Sequence, residues 1–279
     1  MANCIACGRQ LPAFSFGARI DVCPECRRTA VDVPNSWSST TNPAPPPQIR
    51  ATSRRLPPVT SIIVGMNAAV FLGMVLSGAS PVEPTIGQLL KWGANFGPLT
   101  LGQPWRLLAA NYVHIGIIHI ALNMWCLWNL GFLAERIFGG WTYFLTYTVC
   151  GIAGSLASMW WHPNIVGAGA SGAIFGLAGA LIAALYLGKL PIPKEALRGT
   201  MKSLLTFAAY NLFFGGVVRG IDNSAHIGGL VAGLVVGAGL AQHLMSPPDV
   251  KENWTRGIFL ASCIALLFAF MLLKRSVPQ

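Results

Sequence analysis

Apolar residues run through this chain in long blocks rather than in the one-sided stripes of a water-soluble helix. The blocks lie at about residues 59–77, 112–133, 141–161, 170–187, 201–218, 224–244 and 257–273. An apolar run of about 18 residues or more reads as a membrane-spanning helix. The pattern therefore predicts an all-α polytopic membrane protein with a bundle of six spans and a seventh at the C-terminal end. The second block is interrupted by His114, His119 and Asn123, and the fourth is short and rich in Gly and Ala. The first thirty residues are polar and cysteine-bearing rather than a basic start followed by an apolar stretch. The first span is therefore expected to act as an uncleaved insertion signal.

Composition agrees with the pattern. Of the 279 residues 53% are hydrophobic and 10% charged, where a soluble domain carries about 25% charged residues. The Lys and Arg residues are unevenly placed. With seven spans, fourteen fall on the side of the N-terminal tail and five on the other. The positive-inside bias then predicts a cytoplasmic N-terminus and an external C-terminus, in the plasma (inner) membrane. The net charge of +10 is read as this topology signal plus attraction to anionic lipid, and no nucleic-acid partner is expected.

The polar head carries CIAC and CPEC, with thiols at Cys4, Cys7, Cys23 and Cys26. Two such knuckles suit one closed tetrahedral Cys4 zinc site, structural rather than catalytic. Two disulfides are the other reading, and they require an oxidising compartment. The predicted domains are a zinc-ribbon-like head at 1–33, a Pro/Ser/Thr-rich linker at 34–58, a six-helix core at 59–245, and the seventh helix with its tail at 246–279. The head's partner is not specified by any residue. Cys126, Cys150 and Cys263 fall in apolar blocks and are read as small apolar fillers.

Polar groups inside a membrane helix are expensive and default to functional candidates. All nine acidic residues lie in tails, loops or helix ends. That disfavours proton-coupled transport, and it disfavours a Ser-His-Asp triad, although Asp222 is four residues before His226. The remaining candidates are His114, His119, Asn123, Ser171 and His226. After Ser171, the residues Gly172, Gly176 and Ala180 form a small-residue stripe; after His226, Gly229, Gly233 and Gly237 form another. Such stripes let helix backbones approach closely in lipid. Packing these two together would bring Ser171 and His226 to the same end. The chemistry that follows is nucleophilic: His226 takes the Ser171 proton, Ser171 attacks a carbonyl, and His119 and Asn123, an i, i+4 pair, donate to the oxyanion.

These motifs, in this order, resemble the rhomboid intramembrane serine proteases over about residues 56–245. GASG at Gly169–Gly172 resembles the family's nucleophile motif, AHIGGLVAG at Ala225–Gly233 its base motif, and HIALN at His119–Asn123 its oxyanion pair. Trp105-Arg106 resembles its WR element and Glu135-Arg136 its ER element, while His114 matches a recurrent structural or water-organising histidine. Phe175 departs from the pattern, standing where many members have a Tyr on which the base histidine stacks. The resemblance implies a Ser-His dyad, with no catalytic cofactor, that cleaves single-pass transmembrane proteins within or near the bilayer. Two other readings share the sequence: a catalytically inactive relative that binds and escorts membrane proteins, and a transporter. The first is weighed down by the retained Ser171 and His226. The second lacks buried carboxylates and any visible repeat of broken helices. Phe213 and Phe214, with the loop 217–223, are candidates for a lateral gate and cap, or else plain lipid-facing aromatics.

Overall fold

The computed structural model describes residues 26, 57–218 and 220–276. Two compact units divide the chain, Met1–Ser53 and Arg54–Gln279. Of the first unit only Cys26 is described, and it is half-buried. Cys4, Cys7 and Cys23, and with them the expected ribbon and nearly all of the linker, lie outside the described residues.

The described part of the second unit is built from helices. Its elements are α1 (Pro58–Leu76), the short α2 (Ile86–Lys91), α3 (Gly97–Thr100) and α4 (Arg106–Ala109), then α5 (Ile117–Phe138), α6 (Gly140–Trp161), α7 (Ser171–Leu187), α8 (Lys194–Val217), α9 (Asn223–Ala241) and α10 (Pro248–Ser276). Among the described residues, α1, α5, α9 and α10 are long and apolar enough to cross a membrane, and α7 is a shorter apolar helix. Their outer faces expose large apolar side chains, such as Trp125 on α5 and Phe268 on α10, as expected of a surface that meets lipid rather than water.

The shortest of the long helices is the central one. α7 packs against α9, α6, α5 and α8, and Leu177, Ala178, Ala180, Leu181 and Ala184 along it are fully buried. Its Gly and Ala content explains this placement: small side chains on every face let four neighbours close in. Among the described helices the α7–α9 interface is the most extensive. A Cβ added at Gly229 would collide with the carbonyl of Gly172, one at Gly233 with that of Gly176, and one at Gly237 with that of Ala180. The two small-residue stripes thus seat backbone on backbone.

At the other end of the core, Glu135 on α5 ties down the start of α1. Its carboxylate accepts hydrogen bonds from Val59 N at 3.0 Å, Thr60 N at 2.9 Å and Thr60 Oγ1 at 2.8 Å. Those amides open a helix and have no carbonyl one turn back, so an anion there satisfies them. Between α1 and α5, the short helices are held by Arg106. The residue is 7% exposed, and its guanidinium donates to Leu90 O at 2.7 Å, Ala94 O at 3.2 Å and Gln103 Oε1 at 2.8 Å.

Three helix starts differ from the apolar blocks; the last is α10, which begins at Pro248 in a polar stretch, nine residues before the block at 257. The second block begins at residue 112, but α5 begins at Ile117. Residues 112–116 bond outside a helix: Tyr112 N donates to Ala109 O at 2.9 Å and Ile115 N to His119 Nδ1 at 3.3 Å, Gly116 sits at φ +89°, and Ile117 N then donates to Pro81 O at 2.7 Å. His114 therefore precedes the helix. The fifth block begins at 201, but α8 starts at Lys194, directly after Pro193. A helix favours proline just before or within its first turn, and the first turns of α8 are polar, which hydropathy alone excludes.

Candidate active site

A cavity of about 530 Å³ opens among α5, α6, α7, α8 and α9, and both Ser171 and His226 line it. Ser171 is the first residue of α7. The loop leading to it is pinned before the helix begins. Asn95 and Gly167 exchange both backbone hydrogen bonds at 2.8 Å, and Gly169 N donates to Ala110 O at 2.9 Å. Ala170 N donates to His114 Nε2 at 3.4 Å, while His114 Nδ1 lies 3.2 Å from Tyr112 O. A carbonyl accepts only, so the His114 proton is on Nδ1 and the ring bridges the two segments. The first-turn amides of α7 have no helical partner, so this helix start presents free N–H groups beside the hydroxyl.

Gly169 shows why a glycine precedes the serine. Its φ is +131°, and a Cβ there would lie 2.6 Å from His119 Cε1. The His119 ring thus rests on the backbone two residues before Ser171. His119 Nδ1 accepts from Ile115 N at 3.3 Å, so the proton of the neutral ring is on Nε2, which becomes a donor. One turn further along α5, Asn123 Nδ2 donates to His119 O at 2.9 Å. Asn123 is buried, and its Oδ1 has no partner among the described residues. Both residues line the cavity.

His226 enters from the first turn of α9. Its ring stacks face to face on Phe175 of α7, with centroids 4.3 Å apart and planes 12° from parallel. Phe175 in turn meets Phe207 of α8 at 5.4 Å. An aromatic face is thus sufficient to seat the imidazole here, with no hydroxyl on the ring. Asp222 does not reach His226 with its side chain. Its Oδ1 accepts from Ala225 N at 3.1 Å and from Ser224 Oγ, capping α9.

Sequence reasoning brought Ser171, His226, His119 and Asn123 forward, and the fold gathers all four around one cavity. His114 stands beside it, its ring 5.3 Å from that of His119. Phe214 lines the cavity, whereas Phe213 is exposed on the outside of α8. Cys4, Cys7 and Cys23 lie outside the described residues. The sequence reading passed over Asn223, Ser158 and Asn95. Asn223 was detectable from its i−3 relation to His226. Ser158 and Asn95 come from separate elements, and only the fold brings them to the cavity.

A hydroxyl and a buried imidazole facing one cavity, flanked by hydrogen-bond donors and helix-start amides, define a site suited to acyl transfer. Comparison with known proteins points the same way. Residues 101–243, just over half the chain, match the Rhomboid domain. The chain belongs to the rhomboid family and is an integral membrane protein. It is 39% identical over 185 residues to rhomboid protease GluP of Bacillus subtilis, covering 66% of this chain and 35% of that one. RHOMBOID-like protein 4 of Arabidopsis thaliana is 36% identical over 133 residues, covering 48% and 33%. Rhomboid protease AarA of Providencia stuartii is 30% identical over 201 residues, covering 64% and 70%. The match thus spans about a third of the length of the first two relatives and most of the third.

Proposed function

We propose that this chain is an intramembrane serine protease that cleaves single-pass transmembrane proteins within or near the bilayer. The observation that supports it most is the shared cavity of Ser171 and His226 at the heads of two interlocked helices. The names of GluP and AarA, both called rhomboid proteases, support it independently.

In this reading His226 Nε2 takes the proton from Ser171 Oγ, and the oxygen attacks the scissile carbonyl carbon. The resulting oxyanion accepts from His119 Nε2–H, Asn123 Nδ2–H and the first-turn amides of α7. Collapse of the tetrahedral intermediate breaks the C–N bond, and His226 returns its proton to the leaving amine. A water, deprotonated by the same imidazole, then hydrolyses the acyl-serine. The substrate helix must unwind first, because a helical carbonyl is already bonded and shielded.

Seven spans, a cytoplasmic N-terminus and an external C-terminus complete the proposal, with the cavity open to the outer side. The four head thiols, Cys4, Cys7, Cys23 and Cys26, hold one structural zinc that folds the ribbon. The ribbon's partner is unspecified, and no nucleic-acid partner is expected.

The test is cleavage of a tagged model transmembrane substrate by purified protein. Wild type cleaves, and Ser171→Ala and His226→Ala lose at least about 10³-fold. A fluorophosphonate labels wild type at Ser171 and leaves Ser171→Ala unlabelled. Cleavage that survives Ser171→Ala refutes the mechanism. No cleavage and no labelling of wild type would favour the escort or transport reading. For the head, the full chain should carry about one zinc, lost in Cys4→Ser/Cys7→Ser; zinc-free wild type overturns that assignment.

A further inference from the structure

Asn223 is the first residue of α9, next to the N-cap position from which an asparagine would bond its own helix start. It does not do so. The cap is Asp222, whose carboxylate accepts from Ala225 N. The Asn223 amide reaches away from its own helix start. Its Nδ2 donates to Leu212 O on α8 at 2.9 Å, and its Oδ1 lies 3.3 Å from His226 Nδ1.

The two contacts fix each other. A backbone carbonyl only accepts, so the nitrogen of the amide must face Leu212. The oxygen of the amide is then the atom at His226, and it also only accepts. His226 Nδ1 must therefore carry the proton, leaving the lone pair on Nε2. The site for the amide is shaped for it on the α8 side. Gly215 approaches so closely that a Cβ there would strike the Asn223 amide, with Cγ only 2.9 Å away.

We propose that Asn223 is the positioning residue of His226: it selects the Nδ1–H tautomer and is itself held in orientation by the Leu212 carbonyl of α8. The functional consequence rests on the reading of His226 as the general base, whereas the bond does not. An imidazole can accept the Ser171 proton only through a bare ring nitrogen, and this tautomer leaves Nε2 bare. The arrangement also makes the base answerable to α8. The neighbouring Phe214 lines the cavity, so a displacement of this end of α8 that admits a substrate would also pull on the amide that orients the ring.

Histidine-ring ¹⁵N spectra test the bond without any need for cleavage. The chain has five histidines, so His226→Gln identifies the His226 signals. At a pH where the ring is neutral, wild type should show Nδ1 protonated and Nε2 bare. Asn223→Leu should give a mixture of tautomers, and Asn223→Asp, which keeps an acceptor, should keep the wild-type form. An Nε2–H tautomer in wild type, or an unchanged spectrum in Asn223→Leu, overturns the inference. Should Asn223→Leu fail to fold, Asn223→Ala decides: an unchanged Nδ1–H form there overturns it. With model substrate, Asn223→Leu lowers kcat at least about tenfold with KM unchanged, and Asn223→Asp recovers most of that. Equal kcat in wild type and Asn223→Leu overturns the positioning role. Wild type that cleaves nothing while showing the expected spectra counts against the protease reading alone.

Discussion

Phe175 shows how little a side chain needs to supply in order to seat a base. It is 2% exposed and lies flat against His226, filling the space that would let the imidazole turn. An aromatic stack of this kind is worth about 0.5–1.5 kcal/mol beyond burial. Phe175→Leu keeps the cavity filled but gives up the flat face, so kcat for model-substrate cleavage should fall roughly two- to tenfold. Phe175→Tyr should leave it unchanged. A Leu variant with wild-type kcat would show that the stack does not orient the ring. At this scale Ser171 and His226 were legible because each stands alone at the head of a small-residue stripe. Asn223 was not, because an asparagine opening a helix looks like a cap, and only coordinates reveal that Asp222 had taken that role.

Among the elements, the α7–α9 contact decides the geometry of the site. Gly233 faces the carbonyl of Gly176 with no room for a side chain. Gly233→Leu should lower stability in detergent by about 1–3 kcal/mol, as overpacking of a close interface does. Thermal unfolding followed by helical circular dichroism checks this, and an unchanged midpoint would mean the helices can part without loss. This pairing was readable in the sequence, since small residues recur at four-residue spacing in both segments. The starts of α5 and α8 were not. Hydropathy counts apolar residues, whereas α5 waits until the backbone has finished bonding around His114 and Pro81, and α8 begins in a polar stretch behind Pro193.

For the whole molecule, the sequence disclosed that the helices belong in lipid but not which of them lies in the middle. α7 is apolar like its neighbours; its central place follows from its Gly and Ala content, which allows contact on all sides. The distribution of Lys and Arg carries one expectation about the assembled protein in its membrane. Reporter fusions should be active on the cytoplasmic side at the N-terminus and on the outer side after residue 279. A cytoplasmic C-terminal reporter would reverse the proposed orientation or remove one span. Arg106, a buried cation, shows how the loop-like region between α1 and α5 keeps its form, since its guanidinium ties the carbonyls of Leu90 and Ala94 to α4.

The meshing of α7 with α9 has a consequence for assembly. Notches spaced one turn apart fit carbonyls spaced one turn apart, so the two helices can slide past each other only in jumps of four residues, about 6 Å. Intermediate offsets are blocked by backbone. The serine and the imidazole are accordingly either level or a full step out, with no graded misalignment between. A preparation of mixed quality should then behave as a blend of fully competent and wholly inert molecules, and active-site titration, rather than the turnover rate of the competent ones, should track the losses.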